Sequence, residues 1–257
     1  MNPFETVGFI GGGRVVRFLL EGWRRAGALP PIVRVCDPAP AAIAILEHEF
    51  AAVAEGMLAD VAAAPLVVLA VHPPVLKEVL PALKGRLGPE SILLSLAPKV
   101  AIASLQAAVG TPAVARMIPN APSAIGKGFN PMAFAPALPP AARQALAAAA
   151  APWGAAPEVP EPHLESYAIL TALGPSYFWF QWQLLRELAG EFGLERAAAD
   201  TALLAMLRGA ADCLFAPGAD PHQVMEMIPG KPLQEEEAAI KAAFKARLTA
   251  LQAKLAS

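Results

Sequence analysis

The chain has 257 residues, 56% of them hydrophobic and 16% charged, with a formal net charge of −2. That composition supplies a large core, enough for one large or two modest domains, and excludes global disorder. The balanced charge offers no field for holding a phosphate polymer, which argues against nucleic acid as a partner, and the two cysteines, Cys36 and Cys213, show neither a disulfide framework nor zinc spacing.

In chain order, MNPFETVGFI carries no basic leader followed by an apolar core, so a reducing, cytoplasmic setting is expected. TVGFI (6–10) reads as a first strand. Residues 14–26 place Val15, Val16, Leu19, Leu20 and Trp23 at helical spacing, with Gly27 as the stop. IVRVC (32–36) is a second strand and 39–50 a second helix. PLVVLAV (65–71) is a continuous apolar run suited to a strand buried on both faces. A helix over 75–87, a strand over 91–96, a short helix over 102–109 and a strand over 113–118 follow. This alternation is the pattern of βαβ units and a parallel sheet. The Ala- and Pro-rich stretch 136–162 predicts a small-residue helix over 141–151 in place of a flexible linker. From His163 onward only helices are expected: 164–173, 175–192, 196–215, 221–227 and 235–256. The run Glu235 to Glu237 favours the N-terminus of the last helix through its dipole. The reading is an α/β domain over 1–162 and a helical domain over 163–257.

SYAILTALGPSYFWFQWQLL (166–185) has no formal charge over a length close to a membrane span, but a central Gly-Pro pair and two glutamines make it a buried segment of a protein outside the membrane. His48, His163 and His222 share no ligand spacing with carboxylates, so no metal is expected.

The chemistry of the first domain centres on VGFIGGGRV. A dinucleotide needs a tight turn after the first strand, close backbone approach to its pyrophosphate, and a helix N-terminus aimed at the charge. Gly11 and Gly13 meet the first two needs, with Gly8, Gly12 and Val15 beside them. Val16 stands where Gly or Ala is usual in the fingerprint. Arg14, a cation in the first helical turn, opposes the helix dipole and is easier to accommodate facing an anion, the alternative being a solvated surface residue. Asp37 ends the second strand 26 positions after Gly11, near the offset of about 20 residues at which an acid meets the adenosine ribose. A carboxylate there repels a 2′-phosphate and favours NAD over NADP; Asp-Pro is also an ordinary turn starter, and Arg34 or a loop residue can serve a phosphate.

Several ordered segments resemble the pyrroline-5-carboxylate reductase family. VGFIGGGRV is similar to its opening loop. VVLAVHPPVLKEVL, which contains Ala70 and Val71, is similar to its Ala-Val-Lys-Pro turn with His72 at the lysine. ARMIPNAPSAIGKG resembles its Met-Pro-Asn-Thr-Pro segment, keeping Asn120 and placing Ala121 at the threonine. WGAAPEVPEPHLES resembles its closing strand and glutamate, and LTALGPSYF its Ser-Gly-Ser-Gly-Pro-Ala-Tyr element, keeping Gly174, Pro175 and Tyr177. The resemblance implies a Rossmann-type domain followed by a helical domain that interlocks with a second copy. It also implies hydride transfer from a reduced nicotinamide to the carbon–nitrogen double bond of a cyclic imino acid, giving proline.

Departures fall at the substrate. The family's two serines become Thr171 and Leu173, its intervening glycine Ala172, and its Ser-Pro-Gly-Gly-Thr-Thr loop matches IPGKPL (228–233), without either threonine and with Lys231 introduced. A site that loses hydroxyl partners changes its discrimination. Thr171, Ser176 and Tyr177 are the candidate catalytic residues. Gly174, Pro175 and Lys231 are candidates for substrate binding. Gly8, Gly11, Gly12, Gly13, Arg14, Val15, Asp37, Ala70, Val71, His72 and Asn120 are candidates for the cofactor. The aromatic series around 177–182 is expected to pack in a core or against a second subunit. Two functions compete: an NAD(P)-dependent oxidoreductase acting on a small imino or keto acid, and a non-catalytic nucleotide-binding relative that senses redox state or acts as an interaction protein.

Overall fold

In the computed structural model, which describes residues 1–256, the first half alternates as the hydrophobic pattern requires. Its order is β1 (Thr6–Ile10), α1 (Arg14–Arg25), β2 (Ile32–Cys36), α2 (Pro40–Glu49), β3 (Val53–Glu55), α3 (Leu58–Ala62), β4 (Leu66–Leu69), α4 (Pro73–Leu83), β5 (Ile92–Ser95), α5 (Ile102–Val109) and β6 (Val114–Met117). Then come β7 (Gly128–Phe129), β8 (Met132–Phe134), α6 (Pro140–Ala150) and β9 (Gly154–Ala155). The remainder is helical: α7 (Leu164–Tyr167), α8 (Gly174–Glu191), α9 (Arg196–Leu214), α10 (Pro221–Glu226) and α11 (Glu237–Ala256). A π-helical turn over Ala168–Ala172 follows α7, and only Leu173 separates it from α8.

The main sheet has the order β3-β2-β1-β4-β5-β6-β8, parallel throughout except for β8, which runs antiparallel to β6. Every residue of β4, β5 and β6 is buried, so β4 reads as an unbroken apolar run, while Ser95 ends β5 and Arg116 interrupts β6 as buried polar residues. Alternate residues of β1 meet helices on opposite faces. Phe9 packs on Trp23 of α1 with ring centroids 6.3 Å apart. On the other face, α3 comes so close to Gly8 that a Cβ there would stand 2.4 Å from the Val61 carbonyl oxygen. Trp23 in turn packs on Trp153 with ring centroids 4.6 Å apart and planes tilted by 31°. Each indole is satisfied by a neighbouring element: Trp23 Nε1 donates to Ala149 O (2.7 Å) and Trp153 Nε1 to Leu19 O (2.8 Å).

The sequence reading omitted β3, α3, β7 and β8, met β9 only as the closing strand of the family resemblance, and ran α4 on to residue 87. Pro81 lies inside α4 and has no N–H for the ladder, and the helix ends two residues later. Residues 1–173, together with the last turn of α11 from Leu251 onward, form one compact unit, and Gly174–Ala250 a second. Residues 163–173 therefore pack with the α/β unit. Within the second unit α8 and α9 are joined by Arg186 and Asp200, 2.5 Å apart. Large apolar side chains remain on its surface, among them Trp179, Phe180, Leu184, Phe192 and Met206.

Candidate functional site

A parallel sheet that reverses its winding leaves a crevice at the carboxyl ends of its strands, here between β1 and β4. Gly11 turns out of β1 with φ +98°, a conformation that L side chains rarely adopt, and its N–H donates to Cys36 O (2.8 Å). A Cβ on Gly11 would lie 2.7 Å from the Ala70 carbonyl oxygen and 2.9 Å from Val71 Cγ1, so the glycine loop and the end of β4 form two walls in direct proximity. Gly13 is exposed and caps α1 with extended backbone, and no acidic residue occupies the first turn. The first N–H groups of α1 have no acceptor within the helix by position, and they surround an exposed Arg14 and a half-buried Val15. Such an arrangement leaves N–H donors open at the start of α1, the geometry that an anion can use. Gly8 lies deeper, inside β1, where its missing side chain makes room for α3.

Asp37 closes the other side. One carboxylate oxygen accepts the Gly12 N–H (2.7 Å) and the other the Ala39 N–H (2.8 Å). The residue thus staples the glycine loop to the end of β2, a structural duty the spacing argument did not reveal, and its fixed charge stands at the crevice. Beside it, burial pushes the Cys36 thiol up, with the charges of Asp37 and Glu55 adding to the effect, so the thiol stays neutral. His72 is exposed at the N-cap of α4.

Asn120 behaves differently. It is buried, its Oδ1 accepts the Phe129 N–H (3.0 Å), and its Nδ2 donates to Thr171 O (3.2 Å), so it ties the turn after β6 to the π-helical segment. The Thr171 hydroxyl donates to Tyr167 O (2.8 Å), four residues back. In the second unit, Gly174 and Pro175 begin α8, with exposed Ser176 next. The Tyr177 ring meets Phe244 nearly edge-on at 5.9 Å, and burial pushes its phenol above the usual range, keeping it protonated. Lys231 pairs with Glu226 at 2.5 Å.

Sequence reasoning missed one polar cluster. Arg116 of β6 is bound by Glu161 (3.0 Å) and Glu165 (2.6 Å), which lie 45 and 49 residues away along the chain. Only the resemblance to a family glutamate touched this stretch. A cavity of about 710 Å³ is lined by residues of α1, including Arg14, and by His48 and Glu49 of α2, where Arg17–Glu49 (2.5 Å) and Arg24–Glu21 (2.6 Å) pair their charges. Among the described residues no group of three or more His, Cys, Asp or Glu is placed to hold a metal, and no helix is long and apolar enough to cross a membrane.

The chain is 31% identical over 242 residues to the pyrroline-5-carboxylate reductase of Pseudomonas aeruginosa, covering 91% of this chain and 87% of that one. The chain belongs to the pyrroline-5-carboxylate reductase family. Residues 6–99 also match the family model described as NADP oxidoreductase coenzyme F420-dependent, which spans the crevice from the glycine loop to the turn after β5. The fold is shared with solved members of the family. The Plasmodium falciparum pyrroline carboxylate reductase, solved with NADP bound, superposes with a TM-score of 0.79 at 18% identity, covering 99% of this chain and 96% of that one. The pyrroline-5-carboxylate reductase of Coxiella burnetii gives 0.74 at 23% identity, covering 99% and 98%. Pyrroline-5-carboxylate reductases are nicotinamide-dependent oxidoreductases of small molecules.

Proposed function

We propose that the chain is a cytoplasmic NAD(P)H-dependent reductase of a small, carboxylate-bearing imino acid, with NADH as the preferred donor. The glycine cradle facing Ala70 and Val71, closed by Asp37, carries the reading. Gly11, Gly12, Gly13, Arg14 and Val15 would hold the pyrophosphate, and Asp37 the adenosine ribose, while Ala70, Val71 and His72 form the opposite wall. The fixed Asp37 carboxylate disfavours a 2′-phosphate, which supports NADH over NADPH. Asn120, with both ends of its amide engaged by the protein, would act by shaping this wall.

When bound, a reduced nicotinamide supplies the hydride for the imine carbon. The protein must then orient the imine and deliver a proton to its nitrogen. Tyr177, whose phenol burial keeps protonated, is the proposed donor, with Thr171 and Ser176 as hydrogen-bond partners for the substrate. Gly174 would let the substrate carboxylate approach the start of α8 closely, with Pro175 fixing the backbone there, and Lys231 would offer a cation. Residues 1–162 would thus serve the dinucleotide and 163–257 the substrate and a second copy of the chain. The exposed Trp179, Phe180 and Phe192 support pairing through the helices. Titration with NADH and NADPH, followed by NADH consumption across cyclic and acyclic imino acids, tests this reading. Tight binding without turnover on any of them would favour the non-catalytic alternative, to which the engagement of Lys231 by Glu226 lends support.

A further inference from the structure

The charged cluster behind β5 invites a question of purpose. The Arg116 side chain is 3% exposed, its guanidinium donates to Glu161, Glu165 and the Ala97 carbonyl, and its Nε has no hydrogen-bond partner. Burying a cation with one donor unmatched is a poor route to stability, because apolar residues of similar volume often do as well or better. What the cluster does fix is the loop between β5 and α5. Ala97 is held through its carbonyl (3.4 Å), Lys99 through its N–H to Glu165 (3.0 Å), and Ile102 through its N–H to Glu161 (2.7 Å). Between these anchors Lys99 adopts φ +71°, the one left-handed non-glycine residue among those described. Such a conformation persists where the surroundings impose it, and it is frequent beside ligand sites.

The loop leaves the carboxyl end of β5, whose Ser95 is in register with Leu69 of β4, immediately before the Ala70–His72 wall. Asp37 and the glycine loop lie across the switch point. A dinucleotide with its ribose at Asp37 and its pyrophosphate at Gly11–Gly13 extends its other half toward β4 and β5. We propose that Arg116, Glu161 and Glu165 are positioning residues that hold the Lys99 loop in one conformation, so that the nicotinamide end of the crevice is preformed. The inference rests on the dinucleotide reading above and assigns this cluster a duty in cofactor recognition.

Two ligands separate the halves of the site: NADH, and ADP-ribose, which lacks the nicotinamide. Calorimetric titration of the full chain, Glu165→Ala and Glu165→Gln tests the clamp, with thermal melts run in parallel. In Glu165→Ala, a fall of the competent loop to about a tenth of the population weakens NADH about tenfold, while ADP-ribose affinity holds. Glu165→Gln retains an acceptor for the Lys99 N–H and recovers part of the NADH affinity. If the alanine variant does not fold, the glutamine variant carries the comparison, with a smaller loss again confined to NADH. Equal weakening of both ligands, or no change in either, overturns the clamp and leaves the dinucleotide reading standing. Failure of the unchanged chain to bind both ligands overturns that reading and the clamp with it.

Discussion

The two compact units treat their aromatic residues in opposite ways. In the α/β unit Trp23 and Trp153 are fully buried, packed on one another and hydrogen-bonded at both indole nitrogens. In the helical unit Trp179 is 50% exposed, Phe180 67% and Phe192 77%. The first unit satisfies its apolar residues within one chain. The second leaves a contiguous stretch of helix apolar on its exposed surface, where water contact is unfavourable and a second copy would relieve it. The lesson is that the same residue type reports self-sufficiency in one unit and an unmet need in the other.

The largest test of this contrast is a pair of tryptophan truncations. Trp23→Ala opens a cavity in the core and is expected to cost about 3–5 kcal/mol in chemical denaturation. Trp179→Ala, measured at low protein concentration, is expected to fall within about 0.5 kcal/mol of the unchanged chain; a loss as large as that of Trp23 would show that the exposed helix face is core after all. Gly11→Val comes next. The left-handed backbone costs about 1–3 kcal/mol for any L side chain, and the added Cβ meets Ala70, so NADH binding by calorimetry should vanish with the fold largely kept. Phe180→Asp puts a charge on the proposed subunit face. Sedimentation should show the dimer weakened by about 2 kcal/mol, with NADH affinity of the chain unaltered.

The smallest effect concerns the start of α11. A hydrogen bond from Lys241, and then its charge, hold the Glu237 carboxyl below its usual range. Because the folded value is depressed, the contribution is present above the unfolded value and lost as pH falls through the folded one. Helicity at the start of α11, followed by amide exchange, should therefore weaken slightly in acid, and Glu237→Gln should remove that acid dependence.

Much of the fold was legible because its signals are local. The apolar runs of β1, β4 and β5 and the helical spacing of α1 and α5 can be read without knowing what they touch. β3, with the three residues VAE, and the antiparallel β8, MAF, are too short to show a period, and pairing with a neighbour defines them. The positions of the glycine loop and Asp37 were readable for the same reason as the strands: a βα turn sets its glycine and its flanking residues at fixed offsets. The clamp was not. Glutamates at 161 and 165 look like any solvated acids until the fold brings Arg116 between them, and a lysine gives no hint of left-handed backbone. The stapling role of Asp37 was likewise hidden, since spacing shows where a carboxylate stands and not which N–H groups it already holds.

The crossed indoles of Trp23 and Trp153 also have an optical consequence. All four tryptophans of the chain fall into two pairs, one sealed in the α/β unit and one, Trp179 with Trp182, open to solvent in the helical unit. In the single chain iodide should quench emission from the second pair and spare the first, and pairing through the helices would shield the second pair as well. The chain thus carries its own label-free reporters, and unfolding of each unit can be followed by colour and quencher access in one cuvette.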